Sequence, residues 1–113
     1  MSNHFSLTTK RDGTSVSIVC TGELDIAAAP VVEAAIEPVF EAPPSSLELD
    51  WSGLTFMDST GIRLLLVIVK QASAAGIDLI WRLSDAAQRA LDAVGIHDQL
   101  LRTLGEQDAG RWN

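Results

Sequence analysis

The stretch that decides the fold is Trp51-Ser-Gly-Leu-Thr-Phe-Met-Asp-Ser-Thr-Gly-Ile62. It sets a hydroxyl pair, Ser59 and Thr60, directly after Asp58 and just before the long apolar run Ile62 to Val69. The pattern predicts a strand that ends, a tight loop, and a helix whose first-turn hydroxyls face solvent. Asp58 suits the N-cap, because a carboxylate there accepts an N–H left unpaired at a helix start. The helix should run from Ser59 to about Ala75, with Gly76 as its C-cap. Apolar side chains surround much of it, so it should be largely buried.

Upstream, Leu47-Glu-Leu-Asp-Trp51 alternates as a strand, with Ser52 to Met57 as its connection to the helix. Glu41-Ala-Pro-Pro-Ser-Ser reads as a loop. Before it, Ile26, Val31, Ala35, Ile36, Val39 and Phe40 approximate helical spacing over Ala27 to Phe40. Pro30 fits only its first turn, and Pro38 should end or distort it. Asp25 is placed to cap or precede that helix. Further upstream, Val16, Ile18 and Cys20 mark a strand to about Thr21, closed by Gly22-Glu-Leu-Asp25. Asp12-Gly13 turns it back onto a strand beginning at Phe5.

Downstream, Ile77 to Leu83 is a fourth strand. Ser84 or Asp85 then caps a helix carrying Ala87, Leu91 and Val94 that stops at Gly95. Ile96 to Leu104 reads as a short final helix, and Gly105 to Asn113 as a loose polar tail. The order is β-β-α-β-α-β-α-α, an α/β domain with a small mixed sheet of about four strands. Its later strands are parallel and its first two form an antiparallel hairpin. The whole chain, 1–113, is expected to be one domain with its core over about residues 5–104.

Composition agrees. The 113 residues are 47% hydrophobic and 20% charged, an ordinary globular balance. A net charge of −7 repels nucleic acid and anionic lipid and suits a protein partner with a basic face. One cysteine, Cys20, allows no internal disulfide and is expected to be a buried, inert thiol in a reducing compartment. The start Met1-Ser-Asn-His-Phe-Ser does not read as a secretory signal, and Leu64 to Val69 is too short to span a bilayer. The expected location is cytoplasmic.

Two readings of Ser59 follow from the residues. It is a helix-start residue, or it is a phosphoacceptor. A phosphate at a helix N-terminus is tolerated by the fold and adds roughly −1.5 to −2 charges beside Asp58. Asp25 and Asp50, each ending or following a strand, are expected near it. Such a change alters an exposed corner without unfolding the domain, which suits a switch in partner binding. No residue nearby in sequence is set to take a proton from Ser59, so a nucleophilic role is disfavoured.

Gly22-Glu-Leu-Asp25, Asp50-x-Ser52, and Phe56-Met-Asp-Ser-Thr-Gly61 before a leucine-rich helix together resemble the STAS domain family. Its name joins sulphate transporters with anti-sigma factor antagonists. The resemblance covers about residues 5–104 and is nearest to the single-domain bacterial anti-sigma factor antagonists. It implies that an anti-sigma factor serine kinase phosphorylates Ser59. It also implies that the unphosphorylated form binds that kinase and frees a sigma factor, and that a phosphatase resets the switch. By the same resemblance Asp25, Asp58, Ser59, Thr60 and Gly61 form the partner-binding site. One position departs mildly: Ile62 stands where leucine is common.

Enzyme readings are weaker. Ser59 has no Gly-x-Ser-x-Gly around it, and the histidines, His4 and His97, are not placed by sequence as its base. Glu23, Asp25, Asp50 and Asp58 could gather as a Mg²⁺ site, but the lysine such a site needs is not at hand: Lys70 lies far down the helix. No glycine loop for phosphates and no zinc spacing occurs, so no cofactor is expected. Two rival roles remain for a STAS-like chain: an accessory subunit of a lipid-moving ABC transporter, or a signalling scaffold module. Trp51 and Trp81 are expected in the core.

Overall fold

The computed structural model of the chain describes residues 4–95. The element order is β1 (Phe5–Asp12), β2 (Ser15–Leu24), α1 (Ala29–Glu41), β3 (Ser46–Met57), α2 (Ser59–Ala75), β4 (Asp78–Leu83) and α3 (Asp85–Ala93). The expected final helix, Ile96 to Leu104, and the tail to Asn113 lie outside the described residues. The strands form one sheet in the order β1-β2-β3-β4. β1 and β2 are antiparallel, while β2, β3 and β4 run parallel. Gly13, at a positive φ of 63°, makes the hairpin turn.

Alternation sorts the sheet into two faces. Val16, Ile18 and Cys20 on β2, Leu47, Leu49 and Trp51 on β3, and Leu79 and Trp81 on β4 are buried under the helices. Burying each large side chain contributes roughly 1.5–3 kcal/mol. The intervening residues make a polar outer face. There the Ser15 and Ser46 hydroxyls lie 2.9 Å apart, and Arg82 Nε donates to Glu48 at 2.6 Å. Helix residues on the covered side include Val32, Ile36 and Val39 from α1, Leu65, Ile68 and Val69 from α2, and Ala87 and Leu91 from α3.

α2 forms where the spacing predicts it. Asp58 caps its start, and Gly76 closes it at φ 71°. Ser84 caps α3 by accepting from the Ala87 N–H at 3.0 Å. Three expectations need correction. β3 does not stop at Trp51 but runs to Met57, without the separate connecting loop. Its pairing with β2 slips twice, between Val19 and Thr21 and between Gly22 and Glu23. Each slip puts an extra β3 residue into the strand, so its buried positions become Leu54 and Met57. A period-2 pattern is lost although the strand continues.

α1 starts at Ala29, not Ala27, because Asp25 closes a turn first. Pro38 does not end α1, which continues to Glu41. The carbonyl that Pro38 cannot bond is that of Ala34, and both residues are exposed to solvent, while buried Ile36 and Val39 hold the last turn.

Candidate functional site

The site is built by the register of two parallel strands. Leu24 at the end of β2 pairs with Met57 at the end of β3, and both side chains are buried. The next residue on each strand is an aspartate. Asp25 and Asp58 therefore leave the sheet side by side, and the Asp58 N–H donates to the Leu24 carbonyl at 3.4 Å.

Both carboxylates are held by backbone. Asp58 is extended and accepts the Thr60 N–H at 2.9 Å, while its own carbonyl accepts from Ile62 at 3.2 Å. Asp25 accepts from Ala27 at 3.0 Å and Ala28 at 3.3 Å, closing the turn that leads into α1. Ser59 is the first residue of α2 and is exposed; Thr60 is half-buried. Gly61 is buried. A side chain there would overlap Met57 Cγ and come within 3.0 Å of Met57 Sδ and 3.1 Å of Leu24 Cδ2. Only glycine lets the first turn of α2 lie this close to the two strand ends. The structure thus brings together Asp25, Asp58, Ser59, Thr60 and Gly61 at one end of the sheet.

Two exposed apolar side chains lie within two residues of the paired aspartates in sequence. Ile26 is 77% exposed and Phe56 47%. Ile26 is not part of the buried stripe of α1 as its spacing suggested; it sits in the turn that Asp25 closes. Phe56 pairs with Glu23 on β2. Both lie in segments expected on the binding face, 22–27 and 52–60, but the residue pattern gave neither apolar group a role of its own. The signal for Phe56 was the break in alternation after Trp51, which marks a bulged strand end. Gly22, at φ 96°, admits the close approach of β1: a side chain there would overlap the His4 carbonyl, which accepts the Glu23 N–H at 3.1 Å. His4 is thereby at this end of the sheet, while His97 lies outside the described residues.

Asp50 does not join the site. It pairs with Val19 and Arg82 well before the end of β3, and its carboxylate accepts the Ser52 N–H and hydroxyl at 3.2 and 2.6 Å. Six residues of strand, and roughly 20 Å, separate it from Met57. The four-carboxylate Mg²⁺ arrangement therefore cannot assemble, and among the described residues no three His, Cys, Asp or Glu side chains gather to hold a metal. Cys20 is fully buried, and burial pushes its thiol up to about 12, with Trp51 opposing that and Asp50 adding to it.

The site therefore presents an exposed hydroxyl at a helix start, at the end of the sheet that also carries Glu23, Asp25, Asp58 and two exposed apolar side chains. No side chain is placed to deprotonate Ser59 among the described residues, and its Oγ has no hydrogen-bond partner there. Among the described residues no helix is long and apolar enough to cross a membrane.

Comparison with known proteins agrees with this geometry. A family model described as STAS domain matches residues 6–108. Among curated proteins, none matches the chain. An anti-sigma factor antagonist from Mycobacterium paratuberculosis is similar in structure at a TM-score of 0.71 and 22% identity, over 88% of this chain and 85% of that one. The anti-sigma factor antagonist SpoIIAA in its unphosphorylated form is similar at 0.68 and 23%, over 82% and 84%. The Bacillus cell fate determinant SpoIIAA in its phosphorylated form is similar at 0.66 and 22%, over 82% and 86%.

Proposed function

This chain belongs to the STAS domain family, and on that premise we propose that it is a cytoplasmic anti-sigma factor antagonist switched by phosphate on Ser59. Unmodified, it binds an anti-sigma factor serine kinase and so frees a sigma factor. The kinase transfers the γ-phosphoryl group of ATP to Ser59 Oγ, the hydroxyl proton is released, and ADP leaves. A serine phosphatase removes the group by hydrolysis. The chain itself acts as a binding module and not as an enzyme.

The observation that carries this reading is the exposure of Ser59 inside a fixed frame. Asp58 and Asp25 are both held by backbone N–H groups. Gly61 seats the helix start on Leu24 and Met57. A phosphate added there leaves the fold in place, since the helix N-terminus favours negative charge. It raises the charge of a corner that already holds Glu23, Asp25 and Asp58. A partner seated on Ile26 and Phe56 with basic groups toward these carboxylates then meets a bulky dianion at its centre. Asp25 and Asp58 contact the partner directly. Thr60 and Gly61 act by fixing the turn that presents Ser59.

The test is intact-mass analysis of the protein purified from its own cells, with peptide mapping of residues 52–70. One added phosphate on Ser59 is the expected result. A chain unmodified under every growth condition overturns the switch and favours a transporter-accessory or scaffold role. With the cognate kinase in hand, Ser59→Ala should bind like wild type. Ser59→Asp should bind about ten-fold or more weakly, an effect of about 1.4 kcal/mol.

A further inference from the structure

A second surface lies on the helical side of the molecule. α1 and α2 leave between them a groove of about 480 Å³ with an apolar floor that includes Ile36, Phe40, Leu64 and Ile68. Its α1 wall carries Glu33, Glu37 and Glu41, spaced by four and therefore in one row. Its α2 wall carries Arg63, Val67 and Gln71, again four apart, and the same row begins at Ser59. Val67 is 46% exposed within it.

We propose that this groove docks an amphipathic helix of a protein partner, apolar on the face that enters and basic along the flank that meets α1. Anchors at helical spacing fit a trough between two helices, the common way a helix seats in a groove. The three glutamates make no ion pair among the described residues, so their negative potential is uncompensated on that wall. A row of lysine or arginine matches it. The opposite wall, with Arg63 and Gln71, favours a polar or acidic flank, and the difference between the walls sets the direction of the docked helix.

Other occupants fit less well. An anionic lipid meets the glutamate row as a like charge. A second copy of the chain brings a net charge of −7 against −7. The chain's own segment after Gly95 is not basic, with Asp98, Glu106 and Asp108 against Arg102 and Arg111. Because Ser59 heads the α2 row, a helix in the groove ends against the Ser59 corner. The docking itself does not depend on modification of Ser59.

The test is a fluorescence-anisotropy titration of the full chain. The probe is a labelled, stapled helical peptide of about four turns, with leucines along one face and lysines along one flank. A control peptide carries glutamates in place of the lysines. The lysine peptide should bind saturably and the control should not. Glu37→Lys should weaken binding by about five-fold, and Val67→Asp should abolish it; both positions are exposed, so the variants fold, as circular dichroism will verify. The titration uses unphosphorylated chain and no kinase, so its failure and the failure of the phosphorylation reading are separate results. Equal binding of both peptides, no binding, or binding that survives Val67→Asp overturns the proposal. Displacement of the peptide by monomeric oleate would give the groove to a lipid instead. A concentration-dependent dimer that Val67→Asp dissolves would give it to a second copy.

Discussion

The two halves of β3 behave as different structures. From Ser46 to Trp51 the strand alternates strictly, is hydrogen-bonded to β2 on one side and β4 on the other, and buries Leu47, Leu49 and Trp51. From Ser52 to Met57 it pairs only with β2, slips register, and exposes Phe56. The first half packs every second side chain into the core, to which the second half adds Leu54 and Met57. The second half carries the chain out to Asp58 and Ser59, and its bulges aim side chains where the pleat alone would not. One strand thus passes at Trp51 from regular pairing on both edges to a bulged segment that presents the site.

The sharpest attempt to break this division is Trp51→Ala. The indole is fully buried, so its loss should cost about 3–5 kcal/mol in chemical denaturation. Gly61→Val probes the seam between the halves. The added methyls meet Met57 and Leu24, and the cost should be about 1–3 kcal/mol; partner binding should fall as the turn is displaced. Asp58→Ala removes the cap on Thr60 and should cost about 1 kcal/mol, read as a lower midpoint of thermal unfolding. Phe56→Ser should be the smallest, within about 0.5 kcal/mol of wild type in stability. It should nevertheless weaken partner binding, measured by calorimetry. A large loss of stability from Phe56→Ser, or none from Trp51→Ala, would dissolve the distinction.

The same boundary marks what the sequence disclosed. Where one rule governs a segment, the residues were enough. α2 has a carboxylate cap at one end, a left-handed glycine at the other and an apolar run between, and all of these are local. The hairpin and the alternating strands were readable for the same reason. The second half of β3 was not, because its extra residues erase the period that identifies a strand. Asp50 illustrates the consequence: read as the end of a short strand it belongs to the site, yet the strand continues past it. Ile26 was misplaced because a helical period extends into any neighbouring turn that carries an apolar residue. Asp25, Asp58, Ser59, Thr60 and Gly61 were all legible as motif positions. What joins Asp25 to Asp58 is a pairing between distant segments, and no local pattern encodes it.

That pairing has a consequence for how the protein is recognised in a crowded cell. Asp25 and Asp58 become neighbours only once β2 and β3 have locked Leu24 opposite Met57. A nascent, damaged or denatured chain still carries the hydroxyl of Ser59, but without the paired acids and apolar rim around it. Any partner that reads the assembled corner therefore distinguishes a finished molecule from its parts, and recognition doubles as an inspection of folding.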